Sequence, residues 1–210
     1  MRILITGASG FIGKHLVYAL KEQGNEVIAC VRNVSKFKRQ YPMVQAMPCD
    51  FSQDSNSEAW INRLRHIDVV INAAGIFRET GSQKFKALNQ DTPIALFEAC
   101  QRMGVKKVIQ ISALGADETA FSAYHLSKKA ADDYLATLDL DWFIVQPSIV
   151  YGPGAKSMSL FKSMAALPVT PLVNAGDQLI QPIYISDFVD GIINLLKRTD
   201  QIKKNVICRS

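Results

Sequence analysis

The sequence predicts an α/β fold built on a doubly wound parallel sheet, and three observations predict it. Apolar strand-like runs alternate with helix-like segments from end to end. Those runs are nearly continuous, as in Ile3-Leu4-Ile5, Val69-Val70-Ile71 and Val108-Ile109-Gln110-Ile111. Continuous runs mark strands covered on both faces, and repeated β-α alternation with short connections joins parallel strands through crossover helices. A glycine-rich turn also follows the first strand.

In order, a strand over Arg2–Thr6 leads to a helical pattern from Phe11 to Gln23 that closes at Gly24. Glu26–Val31 and Val44–Cys49 read as the second and third strands. Ser55–Arg65 is predicted helical, with Trp60, Ile61 and Leu64 on one face. Asp68–Asn72 is a fourth strand, followed by one long helix over Lys84–Met103 that Gly104 ends. Lys107–Ile111 is a fifth strand, Ser122–Leu138 a helix, and Trp142–Gln146 a sixth strand stopped by Pro147. The rhythm then degrades through a stretch rich in proline and glycine. It returns in Pro182–Ile185 and in a helix from about Asp187 to Lys197. The expectation is a single domain over residues 1–210, with 148–182 as a small irregular C-terminal substrate lobe.

With 210 residues, 48% of them apolar and 20% charged, the chain has the composition of an ordinary globular protein. Its apolar stretches fall short of the roughly 18 residues a membrane span needs. The opening run is stopped by Gly7 before it could form the core of a secretory signal, so a cytoplasmic location is expected. Cys30, Cys49, Cys100 and Cys208 have no Cys-x-x-Cys spacing and no nearby histidine pair, which argues for free thiols and against a metal site. The net charge of +5 permits an anionic ligand. The lysines and arginines are scattered without aromatic interleaving, so no nucleic-acid role is expected. His15, His66 and His125 have no assignable partner and read as structural or solvated.

The glycine turn is Thr6-Gly7-Ala8-Ser9-Gly10-Phe11-Ile12-Gly13, between the first strand and the first helix. Such a turn needs positive φ, and a pyrophosphate approaches backbone only where no Cβ intervenes. The helix N-terminus then favours the phosphate charge, which makes this a dinucleotide site of Rossmann type. An acidic residue about 20 positions on would bond a ribose 2′-hydroxyl. Here Cys30-Val31-Arg32-Asn33 offers none, and Arg32 lies 19 residues after Gly13. A guanidinium suits a 2′-phosphate, so NADP(H) is favoured over NAD(H). At the end of the third strand, Asp50 either accepts from the adenine amino group, with Phe51 over the ring, or caps the turn before Ser52. Ala73, Ala74 and Gly75 leave the fourth strand at the switch point, where small residues let backbone approach a cofactor.

Tyr124 and Lys128 lie four residues apart in the helix after the fifth strand. A separation of about 400° puts them on one helix face. There an ammonium would lower the phenol pKa and let Tyr124 exchange protons near neutrality. Ser112 directly follows the fifth strand, placed to hydrogen-bond a substrate carbonyl. Asn89 falls within the preceding helix, placed to hold backbone or a water relay.

Taken together, these motifs resemble the short-chain dehydrogenase/reductase superfamily over essentially the whole chain. Pro147-Ser148-Ile149-Val150-Tyr151-Gly152-Pro153-Gly154 and Pro182 through Asp187 are similar to its extended, epimerase/dehydratase-like branch. Val31-Arg32 and Ile111 through Ala116 look more like atypical members near the reductase-like accessory subunit of respiratory complex I and the NmrA-type regulators. The resemblance implies Tyr124 as general acid/base and Lys128 as its partner and a ligand of the nicotinamide ribose. It implies that Ser112 orients the substrate oxygen, that Asn89 completes the tetrad, and that Gln146, Pro147 and Ser148 border the nicotinamide.

The leading expectation is an NADP(H)-dependent oxidoreductase acting on a carbonyl or alcohol. The alternatives are a non-catalytic NADPH-binding sensor or assembly protein, and a nucleotide-sugar epimerase or dehydratase. Met158, Phe161, Met164, Leu167 and Leu172 are expected to wall an apolar small-molecule substrate or to pack as core. Few residues follow Asp187, so the substrate is expected to be small, or a second copy, a partner or a further C-terminal segment completes the pocket.

Overall fold

The computed structural model describes residues 1–155, 180–198 and 203–209. The expected lining residues Met158, Phe161, Met164, Leu167 and Leu172 lie outside the described residues.

Strands β1 (Arg2–Thr6), β2 (Glu26–Val31), β3 (Gln45–Pro48), β4 (Val69–Asn72), β5 (Lys107–Ile111) and β6 (Asp141–Pro147) follow the expected order. With β9 (Lys203–Cys208) they form one seven-stranded sheet, ordered β3-β2-β1-β4-β5-β6-β9, and each pairing is parallel. The doubly wound, Rossmann-like arrangement is therefore present. The strand order reverses between β1 and β4, the place where open α/β sheets bind ligands outside their carboxyl ends. Strand β9 was not expected. Its sequence, Lys-Lys-Asn-Val-Ile-Cys, is too polar at its start to read as a strand, and pairing with β6 supplies what periodicity does not. A separate pair, β7 (Val150–Tyr151) and β8 (Ile183–Tyr184), bridges the two sides of the irregular stretch.

Helices cover both faces. Helix α1 (Phe11–Glu22) and helix α6 (Ile185–Leu196) pack with Ile3, Ile5, Ile71, Ile109 and Phe143 on one side. On the other, α3 (Glu58–Ile61), α4 (Thr92–Arg102) and α5 (Ala123–Thr137) enclose Leu4, Val70, Val108 and Ile144 around Trp60 and Phe97. Burying each such large side chain is worth about 2 kcal/mol. The short α2 (Val34–Gln40) follows β2, capped by the Asn33 side chain accepting from the Lys36 N–H at 2.8 Å.

Two helices differ from the sequence expectation. The one over 55–65 shortens to a single turn, because the Trp60 indole donates to the Asp54 carbonyl and Arg63 pairs with the Asp54 carboxylate at 2.8 Å, folding the segment into turns. The long helix over 84–103 is a π-helical turn, Lys86–Asp91, followed by α4. Pro93 causes the break: with no N–H it cannot donate to the Asn89 carbonyl four residues back. That widened turn carries Asn89 into the site.

Candidate active site and cofactor cleft

The glycine turn closes against the exit of β4. Gly7 has φ +64°, and a Cβ there would lie 2.5 Å from the Ala73 carbonyl oxygen. A Cβ on Gly13 would lie 2.2 Å from the Gly7 carbonyl oxygen, so the first turn of α1 can sit on the loop only without a side chain. Gly10 is the N-cap of α1 and brings no side-chain hydrogen bond, leaving that helix end to backbone amides. A cradle that any Cβ would fill, at a helix N-terminus, fits a pyrophosphate.

A cleft of about 180 Å³ runs from this cradle across the sheet edge. Gly7, Ser9 and Gly10 form one wall; Arg32, Asp50 and Phe51 form one end; Ala73, Ala74 and Gly75 form the other wall. The Asp50 carboxylate caps the turn, accepting from the Ser52 N–H at 3.0 Å and the Ser52 hydroxyl at 2.7 Å. Those bonds, with the Arg32 charge nearby, hold it below the usual carboxylate range. Phe51 is packed edge-on against Trp60, with centroids 5.6 Å apart, so its ring serves the core while its residue lines the cleft.

Next to this cleft lies a cavity of about 1000 Å³, and several more of the expected residues border it. Phe11 and Ile12 enter from the start of α1, Pro147 and Ser148 from the end of β6, Ser112 from the end of β5, and Tyr124 from α5. The Ser148 hydroxyl donates to the Gln181 carbonyl, and Gln146 turns away to the Ala116 carbonyl at 3.0 Å. Most of the described residues of its wall are apolar, including Phe77, Leu114, Ile149, Val150 and Ile180.

The structure brings Asn89, Ser112, Tyr124 and Lys128 to one place, with charges arranged differently from the sequence expectation. Lys128 is buried and its ammonium donates to the Ile111 carbonyl at 2.7 Å; burial lowers its pKa. Gly75 faces it: a Cβ there would lie 3.4 Å from Lys128 Nζ and 3.2 Å from Asn89 Oδ1. The Tyr124 ring stands between Phe85 and His125, with centroids at 5.9 and 5.0 Å. Its phenol pKa is raised, first by burial and then by the negative charge of Asp132. The Lys128 charge is thus spent on backbone and Asp132, and Tyr124 is a stronger proton holder than the Tyr-Lys spacing alone implies. Asn89 binds the Ile76 backbone and donates to the Ser127 hydroxyl at 3.2 Å, and Ser127 donates to the Tyr124 carbonyl at 2.7 Å.

Sequence reasoning passed over Asp132 and Gln110 and read His125 as structural or solvated. Asp132 was findable: it lies four residues after Lys128 and eight after Tyr124, on the same helix face. The Ser112 hydroxyl donates to Asp132 Oδ2, and the Gln110 amide donates to Oδ1 at 3.2 Å. The His125 ring borders the cavity and shares a 2.7 Å hydrogen bond with the Ser122 hydroxyl, the N-cap of α5.

Residues 3–208 match the pattern of the NAD dependent epimerase/dehydratase family. The chain belongs to that family. It is an extended short-chain dehydrogenase/reductase in sequence and fold, and the residues of the cleft fit a pyridine nucleotide. A ceramide reductase from Caulobacter vibrioides is 31% identical over 189 residues, covering 88% of this chain and 57% of that protein. Subunit 9 of the NADH dehydrogenase [ubiquinone] 1 alpha subcomplex of Rattus norvegicus is 27% identical, covering 95% of this chain and 54% of that protein. The chain therefore spans about half the length of these curated relatives. Among solved structures, UDP-glucuronic acid 4-epimerase from Bacillus cereus, in complex with NAD, superposes with a TM-score of 0.80 at 23% identity. That match covers 100% of this chain and 78% of the epimerase, and it speaks for the fold alone. No helix among the described residues is long and apolar enough to cross a membrane.

Proposed function

We propose that this protein is an NADP(H)-dependent oxidoreductase that interconverts a large, mostly apolar carbonyl compound and its alcohol. The observation that carries the reading is the junction of the two hollows: the nucleotide cleft opens beside an apolar cavity into which Ser112 and Tyr124 face. When bound, the nicotinamide supplies or accepts the hydride. Tyr124, held protonated by burial, gives its proton to the substrate oxygen as negative charge develops there. Ser112 hydrogen-bonds the same oxygen, Lys128 and Gly75 would border the ribose of a bound nucleotide, and Asn89 fixes the adjoining backbone. One sheet takes strands from residue 2 to residue 208, which supports the single-domain reading. The four unpaired thiols support a reducing, cytoplasmic compartment.

Arg32 at the adenosine end, with no carboxylate at the tip of β2, supports NADP(H) over NAD(H). The apolar wall, and a relative named as a ceramide reductase, support a substrate with long hydrocarbon portions. A second reading is nucleotide binding without turnover. The raised Tyr124 pKa and the Lys128 bond to Ile111 favour it, as do the relative in complex I and a Synechocystis relative named as a photosystem II assembly factor.

Titration with NADPH and NADH tests the cofactor, and equal or tighter NADH binding overturns the Arg32 argument. A panel of aliphatic and aromatic ketones, followed by loss of NADPH absorbance, tests the reaction. Activity that survives Tyr124→Phe removes the tyrosine from the proton step. Tight NADPH binding with no turnover across the panel puts the second reading first.

A further inference from the structure

The ends of three neighbouring strands and one helix carry a continuous buried polar row. Register places Thr6 beside Asn72 and Asn72 beside Gln110, all on the face that α4 and α5 cover. Thr6 Oγ1 donates to Asn72 Oδ1 at 2.5 Å, Asn72 Nδ2 to Gln110 Oε1 at 2.7 Å, and Gln110 Nε2 to Asp132 Oδ1 at 3.2 Å. From the other side the Ser112 hydroxyl donates to Asp132 Oδ2. Thr6, Asn72 and Gln110 are fully buried, and Ser112 and Asp132 are 5% exposed.

An ionised carboxylate only accepts, so it fixes every orientation in the row: Gln110 must turn its amino group to Asp132, Asn72 its amino group to Gln110, and Thr6 its proton to Asn72. The same logic governs Ser112. A serine hydroxyl has one proton. While that proton points at the Asp132 carboxylate, Ser112 offers a substrate oxygen only lone pairs, which repel it. With a proton on Oδ2, Asp132 donates to Ser112 instead, and the serine proton is released toward the cavity.

We propose that Asp132 is a positioning residue that sets the direction of the Ser112 hydroxyl: ionised it holds the serine proton, and protonated it turns Ser112 into a donor to the substrate oxygen. This rests on the reading above that Ser112 faces a substrate carbonyl. The row behind Asp132 keeps its geometry in both states, because Gln110 stays on Oδ1.

Burial pushes the Asp132 carboxyl up to about 6, against the opposing influence of Lys128 and the bonds from Ser112 and Gln110. The charged and titratable neighbours on its own helix are Tyr124, Lys128 and Asp133. From β4 and β5 the facing groups are the uncharged Asn72, Gln110 and Ser112. Helix α4 exposes Glu98 and Arg102 to solvent, the π-helical turn pairs Lys86 with Asp91, and Asp141 of β6 sits at the far end of the sheet beside Lys107. The switch therefore falls between pH 5 and 7.

Two measurements test it. With a ketone that the protein reduces, kcat/KM should fall by at least tenfold from pH 5 to pH 7.5. Asp132→Asn, whose amide donates to Ser112 while its carbonyl accepts from Gln110, should lose that limb. A matching limb in Asp132→Asn overturns the proposal. The second measurement needs no turnover: the carboxyl ¹³C shift of Asp132 is titrated by NMR in the unaltered protein and in Ser112→Ala. The midpoint should lie near 6 and rise in Ser112→Ala, which removes a donor to the ionised form. A midpoint near 4, or one that Ser112→Ala leaves unmoved, overturns the proposal even if no substrate is found. Failure of every ketone to react, with the NMR result as expected, counts against the oxidoreductase reading alone.

Discussion

The carboxamide of Asn89 is paired with the backbone of Ile76 through both of its polar atoms. Asn89 Oδ1 accepts the Ile76 N–H at 2.9 Å, and Nδ2 donates to the Ile76 carbonyl at 2.9 Å. A fully buried side chain on a π-helical turn thereby fixes the backbone just after Gly75, which forms a wall of the nucleotide cleft.

Removing that pair should loosen the wall as well as the fold. Asn89→Ala leaves the Ile76 N–H and carbonyl without their partner at a part-buried position, a cost of about 2 to 3 kcal/mol. Urea denaturation should show that loss, and calorimetric titration should show weaker NADPH binding. Unchanged binding at reduced stability would mean that Asn89 serves the fold alone.

Two glycine substitutions should have opposite signs. Gly13→Ala drives a Cβ to 2.2 Å from the Gly7 carbonyl oxygen and closes the phosphate cradle, so nucleotide affinity should fall more than tenfold and Tm should drop. Gly191 lies inside α6, and a Cβ there meets nothing within 4 Å. Gly191→Ala should raise stability by about 0.5 to 1 kcal/mol through helix propensity and a less flexible unfolded chain, with nucleotide binding untouched.

Arg32 offers a test of charge alone. It lies at the cleft surface, away from the core, so Arg32→Glu should leave Tm within a degree or two while placing a carboxylate where a 2′-phosphate would sit. NADPH affinity should fall at least tenfold and NADH affinity should hold or rise. Equal losses for both would place the Arg32 contact on the part of the nucleotide they share.

The site was legible wherever its chemistry is local. The glycine turn, Arg32 and the Tyr124/Lys128 spacing each lie within one strand-turn-helix unit, and their placement in the fold follows from local backbone geometry. Three features were not legible, each for a long-range reason. Strand β9 exists because β6 offers an edge, which no property of Lys203–Cys208 announces. The π-helical turn needs Pro93 read against the carbonyl four residues earlier, and a periodicity scan averages over both. The polar row through Thr6, Asn72 and Gln110 depends on register across three strands. In sequence each residue looks like an ordinary polar interruption of an apolar run. The direction of the Tyr124 pKa shift went wrong for the same kind of reason: spacing shows that Lys128 shares its face, but the burial of the phenol and the Ile111 carbonyl that takes the ammonium come from the folded packing.

Asp132 should also leave a mark on stability that is independent of any substrate. Its carboxyl titrates at 3.8 in the unfolded chain and near 6 when folded, because burial penalises the charged form. Between those values the folded state holds a proton that the unfolded state has lost, so this group makes unfolding easier as pH rises. Its contribution is fully present below pH 4 and gone above pH 6, a change of about 3 kcal/mol at most. Other carboxylates, such as Asp50 and Asp68, are held low by their hydrogen bonds and add an opposite slope at lower pH. The difference between the unaltered protein and Asp132→Asn isolates the group. From pH 4 to pH 6.5 the unaltered protein should lose stability relative to Asp132→Asn, read from urea midpoints at each pH. A constant difference would mean that Asp132 keeps an ordinary pKa and that Lys128 offsets its burial fully.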